Sequence, residues 1–305
     1  MAASFPVLTP DSLAALSPDP AFAHYAVLGH PVAHSLSPGM QEAGFAAAGI
    51  AARYHAVDCP PEALPAVVAL LKEKQFAGWN CTIPHKFAML ALCDLLGPSA
   101  KEAGAVNTVA NRNGFLSGHS TDGEGWERAA LEAFGQPLSG RRIVVLGAGG
   151  SGQTLALRAV AASCRSLTIA NRTRSRAEEV AQRVRANLHG GDWKGDLALV
   201  PFEGDLLRER IASADLVVNT TSLGLREGDA APLPAAWFRP GLDAYDLIYR
   251  PAVTPFLAAA REGGARTANG LGMLLHQGAL AWEHWTGQTA PLAAMKRALE
   301  ASAAA

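Results

Sequence analysis

Near the middle of the chain, Arg141 to Leu146 reads as a buried strand, and Gly147-Ala148-Gly149-Gly150-Ser151-Gly152 follows it with no spacer. A helix-length stretch then continues to about Ala162. A buried strand that feeds a glycine-rich turn and a helix commits the chain to a βαβ unit, and so to a parallel sheet covered by helices. The hexapeptide satisfies the GxGxxG spacing. Gly147 allows the tight turn, Gly149 lets the backbone approach a pyrophosphate, and the helix start offers free N–H groups and a positive dipole end. Strand before and helix after make dinucleotide binding the expectation.

The end of the next strand discriminates between dinucleotides. An NAD site ends that strand in Asp or Glu, which accepts from the ribose 2'-hydroxyl. Here Leu167 to Ala170 is followed by Asn171-Arg172-Thr173-Arg174-Ser175-Arg176. A carboxylate there would repel a 2'-phosphate, whereas a guanidinium fork binds one through paired, charge-assisted bonds. Arg172, with Arg176 one turn on, therefore implies NADP.

At about 150 residues per domain, 305 residues suggest two domains. Hydrophobic residues make up 49% and charged residues 17%, a globular composition far from that of disorder. With 26 basic and 27 acidic residues, the net charge of -1 leaves no broad basic surface, so neither nucleic acid nor a membrane surface is expected as a partner. Four cysteines, Cys59, Cys81, Cys93 and Cys164, form no CxxC pair, which argues against a disulfide scaffold or a zinc site and leaves the metal expectation at none. The first basic residue is Arg53 and no apolar run nears the 18 or so residues of a membrane span, so the cytoplasm is the expected compartment. Sequons at Asn80, Asn171 and Asn219 are then chance matches.

Residues 1–24 are rich in Pro, Ser and Ala without clear periodicity and read as a loosely attached extension. From Tyr25, strands alternate with helices of 10 to 15 residues, which predicts a mostly parallel sheet. A second series starts at Arg141, with strands near Ile143–Leu146, Leu167–Ala170, Leu216–Asn219 and Leu242–Asp246. The expected division is a first α/β domain over 25–122, a nucleotide-binding domain over 123–269, and helices over 270–305.

Within the first domain, His34-Ser35-Leu36-Ser37-Pro38 places two hydroxyls two residues apart, on one side of an extended segment. Ser37 is expected as the N-cap and Pro38 as the first helical residue, a place for a small anion or an ordinary capped helix. Asn80-Cys81-Thr82-Ile83-Pro84-His85-Lys86 repeats the device, with Pro84 predicted to start a helix that carries Lys86 in its first turn. A cation there opposes the helix dipole and is pushed toward acid/base use. Asp122, in Gly118-His119-Ser120-Thr121-Asp122-Gly123-Glu124-Gly125, is expected at a strand end, able to pair with Lys86. Asn107, Tyr249 and Gln277 add neutral hydrogen-bonding groups. Such a set suits a polyhydroxylated carboxylate whose alcohol loses hydride to a nicotinamide and a proton to the pair.

These segments resemble the shikimate dehydrogenase family. The matching pieces run in order from Val27-Leu28-Gly29-His30-Pro31 and Ser37-Pro38 through Asn80 to Lys86, Gly104 to Val109 and Gly118 to Gly125. They continue through Gly147 to Ser151, Asn171-Arg172-Thr173, Asn219-Thr220-Thr221-Ser222, Tyr249 with Thr254-Pro255-Phe256-Leu257, Asn269-Gly270 with Met273-Leu274, and Gln277-Gly278-Ala279. The resemblance covers about Tyr25 to Gly287. It implies NADP-dependent reduction of 3-dehydroshikimate to shikimate, in a two-domain α/β fold whose last helices return to an N-terminal substrate domain beside a Rossmann-like NADP domain. It further implies Lys86 and Asp122 as the catalytic pair and Ser35, Ser37, Asn80, Thr82, Asn107, Tyr249 and Gln277 as substrate ligands. The cofactor residues it implies are Gly147, Ala148, Gly149, Gly150, Ser151, Asn171, Arg172, Thr173, Arg176, Thr220, Leu247, Gly270 and Met273. The expected partner is that small molecule, bound by a monomer or homodimer. Ser120 stands where the family usually has Asn, Met40-Gln41 replace a His-Asn pair and Cys81 replaces Val; the first two bear on substrate specificity. A quinate or dual quinate/shikimate dehydrogenase is the alternative enzyme, and a ligand-sensing regulator without the chemistry is the alternative outside enzymes.

Overall fold

The computed structural model describes residues 5–187 and 193–304. It divides into two compact units, Met1–Thr121 with Leu275–Ala305, and Asp122–Leu274.

The first unit contains β1 (Val7–Leu8), α1 (Pro10–Ala15), β2 (Ala23–Gly29), α2 (Ser37–Ala47), β3 (Ala52–Asp58), α3 (Leu64–Glu73), β4 (Gly78–Cys81), β5 (Leu95–Leu96), α4 (Pro98–Ala103), β6 (Thr108–Arg112) and β7 (Phe115–His119). Its sheet has the order β1-β3-β2-β4-β6-β7-β5. β6 runs antiparallel to both β4 and β7, while the other pairings, β1–β3, β3–β2, β2–β4 and β7–β5, are parallel, so the sheet is mostly parallel, as expected, with β6 alone reversed. The physical reason is the tight Asn113-Gly114 turn, which takes positive φ at both residues and returns the chain as a hairpin instead of through a helix. One face of the sheet is covered by Leu64, Val67, Val68 and Leu71 of α3, spaced i, i+3, i+4, i+7. On the other, Tyr25 stacks on Phe45 of α2 with ring centroids 4.7 Å apart.

The N-terminal segment is part of this core, which corrects the expectation of a loose extension; residues 1–4 lie outside the described residues. β1 pairs with Ala56 and Val57 of β3, and Leu13 of α1 is fully buried. A capping box closes α1: the Thr9 hydroxyl accepts from the Ser12 N–H, and the Ser12 hydroxyl accepts from the Thr9 N–H. Lys74 then donates to Ala14 O and Leu16 O at 2.8 and 2.7 Å, at the helix's carboxyl end.

The second unit begins with α5 (Asp122–Phe134) and continues with β8 (Arg142–Leu146), α6 (Gly150–Ala161), β9 (Ser166–Ala170), α7 (Arg174–Asn187), β10 (Asp196–Val200), α8 (Asp205–Ser213), β11 (Leu216–Asn219), β12 (Asp243–Asp246), α9 (Pro255–Glu262) and β13 (Arg266–Ala268). The sheet is parallel throughout, in the order β10-β9-β8-β11-β12-β13. Along β8, Ile143 and Val145 enter one core cluster while Val144 and Leu146 enter another, as a strand covered on both faces requires. Strand order reverses between β8 and β11, which makes the carboxyl ends of those strands the topological switch point where such sheets bind ligands. α10 (Leu271–Thr286) starts in this unit and carries the chain back to the first, where α11 (Leu292–Ala303) packs on α2.

Candidate active site

At the switch point, Gly147 has φ +106, and a Cβ on it would lie 2.8 Å from the Thr220 hydroxyl oxygen, so only glycine lets β8 turn so close to the end of β11. Thr220 is held there by its hydroxyl, which donates to Leu146 O at 2.8 Å. A Cβ on Gly152 would lie 2.4 Å from Gly147 O, so that glycine brings α6 against the turn. Gly149 differs from both. Its φ of -81 suits any residue, and a Cβ on it would meet no atom within 4 Å. Among the described residues nothing would obstruct a side chain at 149, so the space over the N-terminus of α6 is open to a pyrophosphate, which a glycine there lets approach. Ala148 N–H donates to Asn171 Oδ1 at 3.1 Å, and Asn171 Nδ2 donates to Thr173 O at 2.8 Å, which fastens the glycine turn to the loop after β9. Gly150 and Ser151 open α6 beside that loop.

The same loop carries the arginines. Arg174 is occupied with Glu178 at 2.8 Å, while Arg172 and Arg176 are exposed and form no ion pair among the described residues. No carboxylate stands at the end of β9. The donor set therefore fits a 2'-phosphate, as expected for NADP. Farther along the same sheet edge, Leu247 N–H donates to Asn219 O at 3.1 Å, and a Cβ on Gly270 would lie 2.0 Å from Leu247 O. Met273 N–H donates to the buried Tyr245 hydroxyl at 3.1 Å, so Thr220, Leu247, Gly270 and Met273 gather at one edge of the unit. Tyr249 follows in the same loop, half-buried, and burial raises its phenol pKa.

In the first unit, the ends of β2, β4 and β7 and the start of β6 come together because β2 and β4 are parallel and β6 is antiparallel to β4 and β7. Thr82 follows β4, and a Cβ on Gly29 would lie 2.5 Å from its methyl, so Gly29 makes room for it. Asn80 Oδ1 accepts from the Tyr54 hydroxyl at 2.7 Å, and its Nδ2 donates to Asn107 O and Thr108 Oγ1, each at 3.0 Å. Asn107 Oδ1 accepts from Thr121 N–H at 2.8 Å, and its Nδ2 donates to Gln277 Oε1 at 3.4 Å. Asn80, Asn107 and Gln277 thus form one connected amide system, the first two buried and Gln277 half-buried.

Three local expectations are corrected. Ser37 is not a cap: Leu36 already has helical φ/ψ, Ser37 is the first residue of α2, and no side chain caps the helix. The segment is turned, not extended, and the Ser35 hydroxyl accepts from Ser37 N–H at 3.3 Å. Pro84 starts no α-helix. Residues 83–87 are turns that lead into a short 3-10 segment, Ala88–Leu92, so no helix dipole acts on Lys86. The cause is the buried anchor at His85, whose Nε2 donates to Cys59 O at 2.7 Å and holds the chain in that turn. Lys86 itself is half-buried, and its carbonyl accepts from Val106 N–H at 2.9 Å, one residue before Asn107. Asp122 sits at a helix start instead of a strand end. It is the first residue of α5, buried, where the dipole favours a carboxylate, and Gly123 and Gly125 lie inside that helix. Lys86 and Asp122 belong to different units.

Sequence reasoning passed over Tyr54, Thr108 and Thr121, which organise Asn80 and Asn107, and Asp246, which accepts from Asn219 Nδ2, Ile248 N–H and Thr254 Oγ1 at 3.1, 3.0 and 2.6 Å. For two of them a signal was available: Thr108 starts β6 and Asp246 ends β12, each a polar residue at the end of an apolar strand.

Comparison with known proteins decides the family. Residues 27–109 match the shikimate dehydrogenase substrate binding domain, residues 128–223 the shikimate / quinate 5-dehydrogenase family and residues 270–300 the shikimate 5'-dehydrogenase C-terminal domain. A shikimate dehydrogenase (NADP(+)) of Moorella thermoacetica is 47% identical over 277 residues, 90% of this chain and 91% of that one. The chain belongs to the shikimate dehydrogenase family. A second relative, the shikimate dehydrogenase (NADP(+)) of Symbiobacterium thermophilum, is 43% identical across 89% of this chain and 92% of its own. The solved shikimate 5-dehydrogenase of Thermus thermophilus, in complex with NADP(H) and shikimate, superposes with a TM-score of 0.81 at 39% identity, covering 92% of this chain and 100% of that one. Two departures from the shikimate dehydrogenase pattern fall in the core of the first unit: Met40 and Gln41 are fully buried, and Gln41 Nε2 donates to Gly278 O at 2.9 Å, beside Gln277.

Proposed function

We propose that this chain catalyses the reversible NADP-dependent interconversion of 3-dehydroshikimate and shikimate. The observation that carries the reading is the edge of the first unit, where Thr82, Asn107 and Gln277 supply neutral hydrogen-bonding groups beside the turn that holds Lys86, and where Ser35 and Ser37 follow the end of the neighbouring β2. Hydroxyls and amides of this kind recognise a small polyhydroxylated carboxylate. Bound NADP(H) supplies or accepts the hydride. In the direction of reduction, the Lys86 ammonium gives its proton to the oxygen of the carbonyl that becomes the alcohol; in oxidation, the neutral amine takes that proton back. The family resemblance makes Asp122 the second acid/base residue of the reaction, alongside Lys86. The family resemblance gives Tyr249 the role of a further substrate ligand.

On the cofactor side, the turn from Gly147 through Ser151 holds the pyrophosphate, with Ala148 fixed by Asn171. Arg172 and Arg176 grip the 2'-phosphate, Thr173 closes their loop, and Thr220, Leu247, Gly270 and Met273 flank the nicotinamide half. A quinate enzyme that uses NAD calls for a carboxylate after β9, where this chain has Asn171-Arg172. A sensing regulator has no need of Lys86 and Asp122. Among the described residues no helix is long and apolar enough to cross a membrane. We place the enzyme in the cytoplasm, as a monomer or homodimer. The test is direct: purified protein mixed with 3-dehydroshikimate must consume NADPH, and the product must be shikimate by chromatography; no consumption contradicts the proposal.

A further inference from the structure

We propose that Thr108 is a positioning residue whose buried hydroxyl fixes the direction in which the Asn107 amide meets the substrate. The proposal rests on the reading of Asn107 as a substrate ligand. Thr108 is fully buried at the start of β6. Its oxygen lies 3.0 Å from Asn80 Nδ2, 3.0 Å from Asn107 Oδ1 and 3.3 Å from Thr121 Oγ1.

Two backbone groups fix the direction of the hydrogen bonds. Asn107 O can only accept, so the Asn80 group 3.0 Å from it is the amide nitrogen. Asn80 Nδ2 therefore donates one hydrogen to Asn107 O and the other to Thr108, while its Oδ1 receives the Tyr54 hydroxyl. A hydroxyl that accepts from Asn80 has its single hydrogen left for a partner on another side, and Asn107 Oδ1 lies there at hydrogen-bond distance. Thr121 N–H can only donate, and it points at the same Asn107 oxygen at 2.8 Å. The polarity thus runs one way, from Tyr54 to Asn80, to Thr108, to Asn107. Asn107 Nδ2 is turned toward Thr121 Oγ1 at 2.9 Å and Gln277 Oε1 at 3.4 Å.

The test compares Thr108→Val with Thr108→Ser. Valine keeps the shape and deletes the hydroxyl; serine keeps the hydroxyl and deletes the methyl. A relay role predicts that Thr108→Val raises the shikimate KM about 10-fold, the worth of one ordinary hydrogen bond, while the NADP KM stays within about 2-fold. Thr108→Ser should stay within about 3-fold of the parent on the same scale. In an Asn107→Ala background, Thr108→Val should add less than about 2-fold, because residues that act through one another are non-additive. A packing role reverses the order, with Ser worse than Val, and that order overturns the proposal. So does a parallel rise in the NADP KM, or an undiminished Thr108→Val effect in the Asn107→Ala background. If Asn107→Ala leaves the shikimate KM unchanged, the ligand reading fails and the proposal with it; if Asn107→Ala is harmful and Thr108→Val silent, the relay alone fails. Should Thr108→Val not fold, Asn80→Asp serves instead: an isosteric carboxylate without hydrogens draws the Thr108 hydroxyl away from Asn107, and an unchanged shikimate KM in that variant overturns the proposal.

Discussion

Gly149→Ala separates a glycine kept for the fold from one kept for a ligand. Gly149 is the N-cap of α6, with extended φ/ψ and no atom within 4 Å of the place a Cβ would take. Alanine gains about 0.4–1 kcal/mol by restricting the unfolded chain. It loses a similar amount, roughly 0.5–1 kcal/mol, because alanine is a poorer N-cap than glycine. The two effects offset, and at about 2–4 °C per kcal/mol the apoprotein Tm should move by no more than about 2 °C. A methyl group pressed against a bound pyrophosphate resembles overpacking of a filled site, about 1–3 kcal/mol. That amounts to a rise of about 5-fold to 150-fold in the NADP dissociation constant. Calorimetric titration of NADP, with a thermal melt of the same sample, reads both quantities. An unchanged dissociation constant would refute the reasoning, because the open space at Gly149 would then face no phosphate. Gly147→Ala is the contrast: with φ +106 and Thr220 in the way, it should lower the apoprotein Tm as well.

Other consequences are equally direct. Leu13→Ala should destabilise the first unit by about 2–5 kcal/mol in denaturant unfolding, since Leu13 is fully buried; a loss below about 0.5 kcal/mol would return the N-terminal segment to the status of an appendage. Lys86→Met should lower kcat about 100-fold to 10,000-fold with a much smaller change in shikimate KM, and adding Asp122→Asn should cost far less than the product of the single losses. A variant with near-parent kcat and only KM raised would make Lys86 a binding residue. Burial, helped by the neighbouring His24, lowers the His55 pKa from 6.5 to about 4, and burial with His284 does the same at His119. The unfolded chain therefore binds protons between those values that the folded one does not, so this stability is whole above about pH 6.5 and drains away as pH falls toward about 4. Tm should be lower at about pH 5 than at about pH 7.5, with a shallower slope in His55→Gln; equal melts in the parent protein would exclude the effect.

What the sequence disclosed followed physical distinctness. The β8 turn was legible because strand, glycines and helix are contiguous, and the Arg172 loop because a missing carboxylate is visible in the letters alone. The four strands predicted for the second unit were read from apolar runs buried on both faces, whereas β10, with its exposed first residue, and the three-residue β13 carry little such pattern. β1 was missed because two residues show no period, although the Thr9 capping box was there to be seen. The Ser37 and Lys86 expectations erred alike: a Pro after a polar or apolar neighbour was taken as the start of a helix, yet at Ser37 the helical turn begins earlier, and after Pro84 the His85 anchor holds the chain in a turn. The amide system of Asn80, Asn107 and Gln277 spans 197 positions and is set by strand order, which local patterns do not encode.

The most direct measurement of the central claim is a set of four initial-rate series, with shikimate and with quinate, each with NADP and with NAD. The account predicts that kcat/KM for shikimate with NADP exceeds the other three combinations, by about 100-fold over shikimate with NAD if the paired arginines contribute what charge-assisted bonds to a phosphate usually do. Equal efficiency with NAD, or a preference for quinate, would contradict it.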